Sequence, residues 1–385
     1  MKGHIRQRGA NSWELKFDTG RDPASGVRKI AYHSFKGTKR QAQGKLAELI
    51  TSVGKGAYVA RSSLTVSQHV RARVDQWEAL GKITPKTAER YRELAANQIA
   101  PHLGAKAVQK LAPADIDQWH ATLKNCGRKD GKGGLSGLTV RHAHRLLSKA
   151  LKEAARHDLV IRNVAAAEPP PKVAREEVTI LTDDQVRWVV ERLRNHVIYP
   201  QVIVALFTGM RRGEILALRW QYVDLDGKII AVREALEETK AGLRFKEAKS
   251  DAGQRDIALP DLVVDVLREH RRQYLQTRLA LGFGKITADT LLFSRIDGRP
   301  CSPNTFSKEW AKRAADVGLS EITYHELRHT HASHLIDAGV DVVRISKRLG
   351  HSSPTVTLDT YAHLFARRED KSAAAINDAV AALLA

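Results

Sequence analysis

Ile345-Ser346-Lys347-Arg348-Leu349-Gly350-His351-Ser352-Ser353-Pro354-Thr355-Val356-Thr357-Leu358-Asp359-Thr360-Tyr361 closes a series of basic motifs. Gly350 breaks a helix, Ser353-Pro354 starts a turn, and Tyr361 follows His351 by ten residues. Two further clusters stand upstream at wide spacing: Arg211 in Thr208-Gly209-Met210-Arg211, and the pair His325 and Arg328 in His325-Glu326-Leu327-Arg328. A tyrosine after a threonine-rich segment is ordinarily a core residue. A tyrosine that ends an ordered run of cationic motifs reads instead as a nucleophile that forms a covalent phosphotyrosine. The cations would then sit on the phosphate oxygens where charge develops in the transition state.

Each motif has a local logic. Residues 205–220 interrupt an apolar helix with Thr208-Gly209 and then place Arg211 and Arg212 side by side. A guanidinium forks two hydrogen bonds onto phosphate oxygens and keeps its charge at any working pH. Glu214, one turn further on, is expected to pair with an arginine and orient it, and Arg212 to make surface or backbone contacts. If residues 323–334 are helical, His325 and Arg328 share a face and address one phosphate. Four histidines in that stretch also invite a zinc site through His325 and His329. A further ligand is wanting, since Cys126 and Cys301 have no ligand-like spacing to other candidates. His329, His331 and His334 are accordingly expected in packing or backbone contacts, and no metal is expected.

This set resembles the tyrosine recombinases, the integrase family, whose pattern runs Arg, Lys, His-x-x-Arg, His or Trp, and Tyr. Arg211, His325, Arg328, His351 and Tyr361 fall on five of those six positions. The lysine belongs to a strand-rich island, Lys228 to Leu259, where Leu243 to Glu247, a Ser250-Asp251-Ala252-Gly253 turn and Arg255 to Leu259 read as a hairpin. In the resembled family a lysine at such a hairpin tip protonates the leaving deoxyribose oxygen. Lys249 sits beside the turn and is the choice for that general acid, with Lys246 its rival. The resemblance implies transesterification without metal, ATP or other cofactor. Tyr361 attacks a phosphodiester, Arg211, Arg328 and His351 stabilise the oxyanion, and His325 assists proton transfer.

Composition agrees with a polyanion as partner. The 385 residues carry a formal net charge of +20. Residues 1–60 have 12 Lys and Arg against 4 Asp and Glu, residues 61–175 have 21 against 10, and residues 176–385 have 30 against 29. The cationic excess therefore lies in front of the chemical motifs, which reads as a nucleic-acid grip followed by catalysis. Two cysteines far apart imply no disulfide framework and fit a reducing compartment. The start lacks the apolar run of a signal peptide, and no stretch approaches a membrane span. The expectation is a cytoplasmic protein of a bacterial cell, associated with the nucleoid when acting.

Period-two alternation of Trp13, Leu15 and Phe17, turn chemistry over residues 20–26, and Ile30 to Phe35 predict strands, followed by a helix over Lys39 to Val53. Residues 64–165 read as short helices, the last with Val140, Leu147, Ala150, Leu151 and Ala154 on one face and Arg141, Arg145, Lys149, Lys152 and Arg156 on the other. Pro169, Pro170 and Pro171 mark a stiff linker, and Thr182-Asp183-Asp184 caps a new helix.

The expected class is mainly α with small β elements (α+β). The expected parts are a three-stranded sheet with one helix over 1–60, a helical bundle over 64–168 and a mixed α/β unit over 176–385. By resemblance these are an arm-type DNA-binding domain, a core-binding SAM-like domain and a catalytic domain. The partners implied are double-stranded DNA attachment sites, further copies in a homotetramer on DNA, and accessory DNA-bending proteins. The resemblance also implies that the apolar stripe of Ile376, Val380, Leu383 and Leu384 docks on a neighbouring protomer. Integration and excision of a phage, prophage or genomic island is the implied activity. A type IB topoisomerase shares the chemistry, and a non-catalytic DNA-binding regulator shares the fold. The regulator would be expected to lack one of the catalytic positions.

Overall fold

The computed structural model describes residues 3–21, 25–55, 58–173, 177–247 and 253–367, with 376–377, 380–381 and 383–384 beyond them. The chain divides into two compact units, Met1–Ala174 and Arg175–Ala385. The division falls in the proline-rich stretch, where the ring removes N–H donors and bars helix.

In the first unit, β1 (Gly3–Gly9), β2 (Ser12–Arg21) and β3 (Arg28–Lys36) form an antiparallel meander in that order. The alternation in β2 turns Leu15 and Phe17 to one face, where they are buried against Ala42 and Leu46 of α1 (Lys39–Gly54). Thr38 caps α1 and Gln41 reaches back to the cap, a reciprocal pair that satisfies two otherwise unpaired amides.

The helices that follow are α2 (Val66–Ala79), α3 (Pro85–Leu94), α4 (Ala100–Leu103), α5 (Pro113–Cys126) and α6 (Gly137–Arg156). A π-turn, Ala95–Ile99, joins α3 to α4 just before Pro101. The apolar face expected of α6 is buried from Val140 to Ala154 and packs with Val70, Val74, Trp77, Ile116, Trp119 and Leu123. Its opposite face is largely exposed, and there Lys149 lays its ammonium 4.1 Å from the centre of the Trp77 ring.

The second unit begins with α7 (Asp183–Arg192), capped by Thr182, then α8 (Tyr199–Thr208) and α9 (Arg212–Ala217). Two small sheets follow, made from β4 (Val223–Asp224), β5 (Ile229–Val232), β6 (Glu234–Thr239), β7 (Gly242–Glu247) and β8 (Arg255–Ala258). Their orders are β4-β5-β8 and β6-β7. The expected hairpin between Leu243 to Glu247 and Arg255 to Leu259 is therefore not formed. β7 turns back on β6 through Lys240 and Ala241, while β8 pairs with β5. Burial decides this: Ile257 finds a buried partner opposite it in Ile230, and β7 has no fully buried side chain to offer. The remaining helices are α10 (Asp261–Ala280), α11 (Pro303–Asp316), α12 (Glu326–Asp337), α13 (Val342–Leu349) and α14 (Pro354–Arg367). The turn expected at Ser353-Pro354 is the start of α14, with proline at the position where its missing N–H costs nothing.

Three buried histidines make the first unit acid-sensitive. His120 and His144 share a hydrogen bond of 3.1 Å, and His69 meets the Ala150 carbonyl. Burial lowers all three pKa values, that of His144 to about 4. The unfolded chain takes up these protons near pH 6.5 and the folded one resists, so stability is full above that pH and falls as pH drops toward 4. The melting temperature should decline over this window, and His144→Asn should flatten the decline. An unchanged slope in that variant would exclude His144 as a source.

Candidate active site

Three chain segments meet at two helix ends. Thr208 closes α8 with its hydroxyl, which donates to the Val204 carbonyl and accepts the Met210 amide. Gly209 then takes a left-handed conformation (φ 67°). A Cβ there would stand 2.6 Å from the His331 ring and 2.7 Å from Leu349, so glycine lets α8, α12 and α13 touch. The chain reverses and Arg211 becomes the cap of α9.

α13 ends on Gly350, also left-handed (φ 69°). The backbone amides of His351 and Gly350 turn back to the carbonyls of Ser346 and Lys347. Among the described residues the next three carbonyls have no backbone donor of this kind, and each receives an arginine. Arg255 Nε donates to Arg348 O at 2.7 Å, Arg328 Nη2 to Leu349 O at 2.7 Å, and Arg211 Nη2 to Gly350 O at 2.9 Å. Arg328 also donates to the Gly209 carbonyl at 2.6 Å and so ties the two helix ends together. The C-terminal end of a helix dipole favours cations, and orphan carbonyls need donors. Both needs are met by the same three guanidinium groups.

Glu214 supplies the countercharge. Its carboxylate is buried, pairs with Arg255 at 2.8 Å and with Arg211 at 2.9 Å, and accepts the Arg211 amide. Burial would raise its pKa, but Arg255 and Arg211 outweigh burial and leave it below the usual value. Arg328 is met by carbonyls. Burial, then repulsion from Arg211, brings its pKa down to about 9.

Tyr361 lies on α14 in a cluster with Ala332, Ile336, Ile345 and Leu349, and is 1 % exposed. Burial pushes its phenol up to about 12 against the pull of Arg328 and Arg211. The hydroxyl is 2.8 Å from His329 Nδ1. His325 caps α12, and its ring stands perpendicular to that of His329 with centres 4.7 Å apart. His351 is 2.7 Å from the Thr357 hydroxyl through Nδ1. Burial, then Arg328 and Arg211, lowers its pKa to about 4. At neutral pH the ring is neutral and not the cation that its motif suggested.

Arg211, His325, Arg328, His351 and Tyr361 are thus brought together, and Arg211, Lys246, Gly350 and His351 share the lining of a cleft of about 570 Å³. Lys249 lies outside the described residues. Lys246 donates to Glu237 at 2.9 Å. Arg212 donates to Ser307 and does not join the cluster of guanidiniums. The expected packing role holds for His331, wedged between the Leu206 carbonyl and Arg348, and His334 stands near Asp183. It does not hold for His329, which meets the phenol. Two groups were missed by sequence reasoning, Arg255 and His329. For His329 a signal existed: it shares the inward face of α12 with buried Ala332 and Ile336.

The phage integrase family model matches residues 179–368, and the model of its N-terminal SAM-like domain matches residues 72–124. An integrase of Streptomyces ambofaciens is 30% identical over 365 residues, covering 91% of this chain and 88% of the relative. Among solved structures, the Tn1549 transposon integrase in complex with a circular intermediate DNA superposes with a TM-score of 0.66 at 21% identity, over 83% of this chain and 100% of that one. A lambda integrase tetramer bound to a Holliday junction gives 0.55 at 18% identity, over 91% and 96%. No helix among the described residues is long and apolar enough to cross a membrane.

Removing the shared carboxylate leaves Arg255 buried without its partner. Glu214→Ala should cost about 3–5 kcal/mol of stability, the scale of breaking a buried ion pair. Urea unfolding checks this, and a loss below about 1 kcal/mol would mean that carbonyls alone suffice for the arginines.

Proposed function

The chain belongs to the phage integrase family and is a site-specific DNA recombinase of the tyrosine class, and on that premise we propose that Tyr361 is its nucleophile. The phenol attacks a scissile phosphodiester and leaves a 3′-phosphotyrosyl bond. That bond conserves the ester energy, so a second strand is joined without ATP. Arg211 and Arg328 receive the phosphate oxygens, with the His351 N–H beside them, and Lys249 protonates the leaving 5′ oxygen. His325 lies within the same histidine pair and assists proton transfer.

The observation that carries this reading is the surplus of fixed positive charge next to a buried phenol. Three arginines stand beside one carboxylate that pairs with two of them, and their rotamers are set by carbonyls before any anion arrives. Donors held in place cost no reorganisation when charge develops. Two of them, Arg328 and Arg211, draw Tyr361 toward ionisation, against burial.

The division of labour follows the charge. Residues 1–60 are proposed as an arm-type DNA reader, 64–168 as the core-binding domain and 176–385 as the catalytic domain. The substrate is a pair of attachment sites of a phage, prophage or genomic island, bound by a homotetramer with accessory bending proteins. Exposed Ile376, Val380, Leu383 and Leu384 suit a tail that docks on a neighbouring copy.

Tyr361→Phe should abolish covalent adduct on a nicked suicide substrate while duplex binding stays close to wild type. Adduct formed by that variant would remove Tyr361 as nucleophile. Deleting residues 1–60 should flatten the dependence of log K on log salt for one class of sites, because fewer phosphates are neutralised. An unchanged slope and footprint would mean that the front sheet does not read DNA.

A further inference from the structure

Tyr361 is almost wholly buried, and a buried hydroxyl needs an acceptor for its proton. Among the described residues the hydrogen bond found for the phenol is that to His329 Nδ1, at 2.8 Å. The phenol proton has Nδ1 as its acceptor in the tautomer that carries the imidazole proton on Nε2, and the bond then runs from Tyr361 to His329. Neighbouring rings hold the imidazole in place: its centre lies 5.6 Å from that of Tyr361 and 4.7 Å from that of His325, both at steep angles. Among the described residues His325 makes no such bond to the phenol.

We infer that His329, one residue beyond the His325-Glu326-Leu327-Arg328 motif, is the base that orients the Tyr361 hydroxyl and takes its proton during cleavage. The inference rests on Tyr361 being the nucleophile. As the Oη–P bond forms, the phenol proton passes to His329 Nδ1. The P–O5′ bond breaks, and O5′ takes a proton from the general acid assigned above to Lys249. On rejoining, an incoming 5′ hydroxyl gives its proton back to the general acid as it displaces the tyrosine, and the imidazolium returns its proton to Oη. Burial, His325 and Arg328 bring the His329 pKa to about 4, so the ring is neutral and able to accept at neutral pH. Burial and the Arg328 cation disfavour the imidazolium, so the proton is readily returned on rejoining.

Single-turnover cleavage of a nicked suicide substrate by the full chain tests this. His329→Ala should slow adduct formation by about 10²-fold or more, the usual range for a lost acid or base. His329→Asn places an amide oxygen near the Nδ1 position and keeps the hydrogen bond without the basicity. It should fold even if the alanine variant does not, and should be slower than wild type by more than about tenfold. A substrate with sulfur at the bridging 5′ position has a leaving group that needs no proton. It should recover cleavage in Lys249→Ala and leave the defect of both His329 variants in place. The inference is overturned if His329→Ala stays within about threefold of wild type, if His329→Asn cleaves at the wild-type rate, or if sulfur rescues the His329 variants. Adduct formed by Tyr361→Phe would instead sink the nucleophile assignment itself. A dead Tyr361→Phe beside an active His329→Ala removes His329 alone.

Discussion

The end of α13 is the constraint on which the site depends. A helix that stops inside a protein leaves carbonyls without partners, and here three in a row are satisfied by arginines from three distant segments. Arg211 comes from the cap of α9, Arg255 from the start of β8, and Arg328 from the first turn of α12. Each carbonyl fixes one guanidinium, and the three together fix the segments that carry them. The arrangement works only because Gly350 ends the helix in a left-handed turn and Gly209 lets α8 approach. Binding geometry and fold are in this region the same set of hydrogen bonds.

Concentrating cations in a partly buried place has a cost that the structure meets in two ways. Glu214 neutralises part of the charge, and the rest is placed where helix dipoles favour it. The lowered pKa of Arg328, due first to burial and then to Arg211, registers the cost that remains. Histidines nearby are forced neutral by burial and by those same arginines. The centre therefore holds guanidinium cations and neutral imidazoles side by side, a separation of charge states set by environment.

Most of the helical architecture was legible in the sequence. The cap at Thr182 and the apolar face of α6 mark their elements, because both depend on neighbours a few residues away. The prolines at 169–171 mark the division between the two units for the same reason. Strand pairing was not legible in the island around β7 and β8. Each strand has several partners within reach, and the choice rests on which buried side chain meets which.

The sequence by itself determined the kind of chemistry. Residue types and their order named Arg211, His325, Arg328, His351 and Tyr361, since a guanidinium or phenol carries its reactivity wherever it stands. Tertiary structure alone decided what each one faces. Arg255 looks ordinary along the chain and His329 shows only that it faces inward, yet one is locked to Glu214 and the other to the Tyr361 hydroxyl. Contacts across 41 and 32 positions depend on how β8 meets α9 and how α14 meets α12, and no local pattern encodes those meetings. The protonation states are a further tertiary product, because desolvation and neighbouring charge exist only once the segments have closed around one another.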